Sequence, residues 1–142
     1  MDNNIELLNY VYQNAEMGLV MIDDLVDKVD DIPLKTTIRS IREDYLNISK
    51  DSIQIFIKYG RKENELSKLT KISTYIVSFV KTLIDNSSST IAKMITENSN
   101  KGIIEISMKL NSCSDVDQEI IELINDLKKL EEQNIEKLSE YL

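Results

Sequence analysis

The chain has 142 residues, one cysteine, one proline, three glycines and no histidine or tryptophan, and its net charge is −8. That length predicts one domain over residues 1–142 with a sizeable core, and so few chain breakers among so many Leu, Ile, Lys and Glu residues predict an all-α fold of long helices. An acidic chain without a clustered basic stripe excludes binding of nucleic acid through its phosphates. Cys113 has no intrachain disulfide partner. With no signal-peptide pattern and no apolar run of membrane length, the expected location is the cytoplasm, away from any membrane.

Five helical segments are predicted in chain order. The first runs from about Ile5 to Val29, with Leu8, Val11, Tyr12, Ala15, Leu19, Ile22 and Val26 on one stripe of helical period. Asp30 and Asp31 stop it, and Pro33 suits the first turn of the next helix. The second carries a heptad seam of Leu34, Ile38, Ile41, Tyr45, Ile48, Ser52, Ile55 and Tyr59, with Gly60 placed to end it. A third, amphipathic segment spans Leu66 to Ile84 and is rich in β-branched residues. "DNSSST" then offers N-cap hydroxyls to a fourth helix that runs to about Leu110, with Ile91, Ile95, Gly102 and Ile106 on its seam. Asp115 and Gln118 are spaced as a capping box before a fifth helix, which carries Val116, Ile120, Leu123, Leu127, Leu130, Leu138 and Tyr141.

"MGLV" at 17–20 and "KGII" at 101–104 place a glycine in the middle of the first and fourth helices, which reads as a weak internal duplication. The resulting layout is hairpin, connector, hairpin: a four-helix bundle in which the third segment crosses over. In that layout the chain resembles the ferritin-like superfamily, in particular its small rubrerythrin-like members.

The resemblance implies a metal centre in which two helices each supply a Glu and the other two each supply Glu-x-x-His, all projecting inward. In "LEEQNIEKL", residues 130–138, Glu131 and Asn134 fall at the Glu-x-x-His positions, with asparagine where histidine belongs. On the second helix Asp44 and Asn47 lie toward the polar face, and the inward pair is Tyr45 and Ile48. Ala15, Gly18 and Leu19 face inward on the first helix and Asn98, Ser99 and Gly102 on the fourth, whereas Glu16, Glu97 and Glu105 lie off the seam.

One inward carboxylate and no imidazole do not make a dinuclear iron or manganese site. No metal and no cofactor is therefore expected. What remains is a central polar layer of Tyr45, Asn98, Ser99, Glu131 and Asn134, read as a hydrogen-bond network that fixes helix register. The acidic run of Asp23, Asp24, Asp27, Asp30 and Asp31 lacks the glycine and terminal glutamate of a calcium loop and reads as a solvated helix end.

Without histidine, a phosphate loop or a nucleophile motif, no catalytic residues are expected. The reading is a non-catalytic bundle with a degenerate metal site and a structural or protein-interaction role. Its alternatives are residual iron or manganese binding at Glu131, or small-ligand binding in the polar layer. Met17, Val20 and Met21, Leu46, Ile53 and Ile57, and Met94, Ile104 and Met108 lie off the seams, and this apolar surplus predicts a homodimer. An unidentified protein partner is the other occupant such a surface would take.

Overall fold

The computed structural model describes residues 2–69 and 85–142, which form helices joined by short turns, without a strand. The helices are α1 (Asn3–Val26), α2 (Ile32–Lys58), α3 (Glu63–Leu69), α4 (Ser88–Ser112) and α5 (Gln118–Leu138), with a closing 3₁₀ turn at Ser139–Tyr141. The crossover expected over Leu66–Ile84 lies mostly outside the described residues. Its first turns are α3, which packs on α1 and α2. Among the described residues, no helix is long and apolar enough to cross a membrane.

Local chemistry sets the ends. Asp31 accepts from the Leu34 N–H at 2.8 Å, which starts α2 with Pro33 in its first turn. At the other end Gly60 adopts φ +75. Its N–H donates to the Ile57 carbonyl at 2.9 Å and that of Arg61 to the Phe56 carbonyl at 3.3 Å, a Schellman closure that favours glycine at the left-handed position. Ser87 caps α4 through the Thr90 N–H at 3.3 Å, so one of the expected hydroxyls is used.

The expected capping box at Asp115 and Gln118 does not form. Asp115 takes a left-handed φ of 58, and the helix begins at Gln118, with Asp117 as its N-cap. The Asp117 carboxylate accepts from the Tyr59 phenol and makes no bond to its own helix, while the Asp117 N–H donates to Asn4 Oδ1 at 2.8 Å. Contacts from α1 and α2 thus override the local capping pattern.

Cross-helix contacts give the directions. Glu16 with Ser49, Gly18 with Tyr45 and Asp23 with Arg42 run in opposite senses, so α1 and α2 are antiparallel. Lys58 with Glu119 and Asp44 with Lys137 set α2 antiparallel to α5. Asn3 with Ser114 and Tyr10 with Glu105 set α1 antiparallel to the second hairpin's first helix, α4. Hence α2 and α4 run the same way.

Two bonds fix where the connector starts and ends. Tyr59 sits beside Asp117 and the start of α1, whereas Asn86 donates to the Lys28 carbonyl just past the end of α1. Tyr59 and Asn86 therefore lie at opposite ends of that helix.

The four long helices share one core. It includes Leu8, Val11, Ile22, Ile38, Ile41, Ile95, Ile106, Leu127 and Leu138, all fully buried, and Leu66 of α3 joins it. Each fully buried Leu or Ile contributes about 1.5–3 kcal/mol. Among the described residues three cross-helix ion pairs lie on the surface, where such pairs contribute about 0–1 kcal/mol each.

Candidate functional site

At mid-height the apolar core gives way to polar side chains from three helices. The seam of α2 delivers Tyr45 there, that of α4 delivers Ser99, and α5 delivers Glu131 and Asn134, one helical turn apart. All four are buried. The Tyr45 hydroxyl donates across both Glu131 oxygens at 2.9 Å. The Ser99 hydroxyl donates to Oε2 of Glu131 at 2.5 Å.

Each hydroxyl has one proton, and both protons go to the carboxylate. That leaves their lone pairs to accept from Asn134 Nδ2, at 3.3 Å in each case. The amide orientation follows: Nδ2 must face the hydroxyls, and Oδ1 is left buried without a protein partner. Glu131, Tyr45, Ser99 and Asn134 thus form a closed ring of donors and acceptors around a single carboxyl.

Burial is the main influence on that carboxyl. It lifts the Glu131 pKa from 4.5 to about 7, against the opposing pull of the bonds from Ser99, Tyr45 and Asn134. Burial and the neighbouring Glu131 charge push the Tyr45 phenol well above its ordinary range, so the proton between them stays on tyrosine.

Two glycines shape the surroundings. A Cβ on Gly18 would stand 2.8 Å from the Tyr45 ring, so only glycine lets α1 seat the phenol. A Cβ on Gly102 would meet Glu131 at 3.5 Å, an ordinary contact. Beside Gly102 a cleft of about 180 Å³ opens between α1 and α4, with Glu131 at its floor. Tyr10, Asn14 and Met17 form one wall, and Asn98, Lys101 and Glu105 the other.

Of the five residues expected in the polar layer, Asn98 stands apart. It is half-buried and lines the cleft, while its neighbour Ser99 reaches the carboxyl. Tyr10, which the sequence reading placed nowhere, belongs to the cleft. Its hydroxyl donates to Glu105 at 3.3 Å, and the Lys109 ammonium lies 4.8 Å from its ring centre.

The off-seam acids have outside partners. Glu16 accepts from Ser49, Asp44 pairs with Lys137, and Glu97 pairs with Lys93. In the acidic run, Asp23 binds Arg42 and Asp31 caps α2.

The donor set does not fit the dinuclear metal centre that a ferritin-like bundle implies. Among the described residues Glu131 is the one buried carboxylate, its neighbours are two hydroxyls and an amide, and the chain has no histidine. Among the described residues no three acidic or thiol side chains converge on a point that could hold a metal ion. No protein-family model matches the chain, and no curated protein or solved structure matches it either.

Proposed function

We propose that the protein is a ferritin-like bundle whose metal centre has given way to a hydrogen-bond network, and that it acts without catalysis in a structural or protein-interaction role. The observation that carries this reading is the ring of Tyr45, Ser99 and Asn134 around Glu131, at the height where the family's ligands would converge. The parallel course of α2 and α4, with Tyr59 and Asn86 at opposite ends of α1, supports the ferritin-like part of the reading.

The interaction partner in this proposal is a second copy of the chain. Ile104 and Met108, one turn apart on α4, are 61% and 66% exposed, which gives a helix face that a two-fold contact would cover.

Elemental analysis of protein purified from cells supplied with iron and manganese tests the non-metal reading. Substoichiometric metal is the expected result, and one or two iron or manganese atoms per chain would overturn it.

A further inference from the structure

The cleft between α1 and α4 ends on a carboxyl oxygen that the network does not saturate. Oε2 of Glu131 accepts from both Ser99 and Tyr45, whereas Oε1 accepts only from the shared Tyr45 proton. Oε1 is also the Glu131 oxygen nearest Gly102, a residue of the cleft lining, at 3.6 Å from where a Gly102 Cβ would stand. A carboxylate oxygen has two lone pairs, so Oε1 keeps one for a donor arriving past Gly102.

We propose that this cleft binds a small organic ammonium ion, with the charged nitrogen on Glu131 Oε1 and the carbon body between Tyr10 and Met17. An ammonium has three N–H donors. Asn14 spends its Nδ2 on the Tyr10 carbonyl at 2.8 Å, which leaves its Oδ1 as an acceptor in the wall. Glu105 across the cleft adds a second negative charge, and the Tyr10 phenol donates to it.

Size and charge select the class. The cleft, at about 180 Å³, is several times the roughly 30 Å³ that a water molecule occupies, too roomy for a bare metal ion bound by one buried carboxylate. An anion would meet Glu131 and Glu105. Lys101, exposed at the mouth, leaves the floor acidic.

Binding is linked to a proton. The groups facing Glu131 are Tyr45 from α2, Ser99 from α4, Asn134 from α5 and, across the cleft, Tyr10 from α1 with Glu105 and Lys101 from α4, while the Lys109 ammonium lies over the Tyr10 ring. The two phenols stay neutral, because burial and the nearby carboxylates raise both. Glu131 itself titrates at about 7, so ammonium uptake near neutrality displaces its proton, and affinity rises with pH through that value. The site depends on the packing of α1, α4 and α5 and not on the ferritin-like reading, so it stands or falls separately.

Calorimetric titration of the full chain with n-butylammonium tests it, with n-butanol and butyrate as neutral and anionic counterparts. The expected result is saturable binding of the ammonium alone, tighter at pH 8 than at pH 6 and weakened about tenfold or more, or 1.4 kcal/mol, in both Glu131→Gln and Gly102→Val. Circular dichroism establishes that each variant is helical. Glu131→Gln is nearly isosteric and decides the matter if Gly102→Val does not fold. Equal binding of butanol, unchanged affinity in Glu131→Gln, or no saturable heat at tens of millimolar ligand would overturn the proposal.

Discussion

Gly18 and Tyr45 are fitted so closely that a single methyl on the glycine would stand 2.8 Å from the phenol ring. The ring cannot retreat freely, because its hydroxyl is held by Glu131 and Asn134. The second mid-helix glycine, Gly102, has room, with its nearest would-be contacts at 3.5 Å. Two glycines in similar sequence surroundings therefore do different work: one seats the network and the other leaves a way to it.

Their alanine variants should move stability in opposite directions. Alanine gains about 1 kcal/mol over glycine inside a helix, but overpacking a filled core costs about 1–3 kcal/mol. Gly18→Ala should lose about 1–2 kcal/mol net, given the rigid seat of Tyr45. Gly102→Ala should gain up to about 1 kcal/mol. Urea melts of both variants check this, and equal shifts would mean that the Tyr45 ring yields.

Removing the acceptor should cost more than neutralising it. Glu131→Ala leaves the Tyr45 and Ser99 hydroxyls without their acceptor in a buried site, a loss of about 1–3 kcal/mol. Glu131→Gln keeps a carbonyl oxygen for one of them and should lose less. Melts at pH 5, where the parent carboxyl is protonated, give the cleanest comparison.

Stability should depend on pH through this one carboxyl. Its pKa is raised on folding, from 4.5 to about 7, so the folded state holds the proton longer than the unfolded state. The stabilisation is complete below pH 4.5 and is lost as pH rises through about 7. At about 1.36 kcal/mol per unit the loss is about 3 kcal/mol. Measured as the difference between parent and Glu131→Gln, which cancels the other acids, the curve should fall across that window and be level on either side.

Much of the layer was legible from helical period alone. Tyr45, Ser99, Glu131 and Asn134 sit on seams that sustained amphipathic patterns define, and the structure buries all four. Asn98 was not separable from Ser99 by period, since adjacent residues straddle a seam and only the gap between α1 and α4 decides which one faces the carboxyl. The cleft and Tyr10 were illegible for the same reason: the cleft depends on how far apart two helices stand. At Asp115 the local capping pattern was outweighed by bonds from Asn4 and Tyr59, residues far away in sequence.

The off-seam residues divide in a similar way. Met21 is 3% exposed, and Met17, Val20, Leu46, Ile53 and Met94 are half-buried. Packing of α3 on α1 and α2 supplies cover that a four-helix projection omits. Ile57, Ile104 and Met108 stay exposed. Self-association should therefore depend on the α4 pair. Light scattering should give about twice the 16.4 kDa chain mass, and Ile104→Glu with Met108→Glu should reduce it to one chain. A parent that is monomeric at all concentrations would remove the dimer.

The central claim is that Glu131 is a carboxyl whose burial outweighs the pull of its hydrogen-bond ring. Carbon-detected NMR titration of its side-chain carboxyl in the full chain reads this directly, with Glu131→Gln supplying the assignment. The account predicts one midpoint near 7, with the Ser99 and Tyr45 resonances moving over the same range. A midpoint near the ordinary 4.5 would contradict the account, because burial would then not outweigh the hydrogen bonds to the carboxylate.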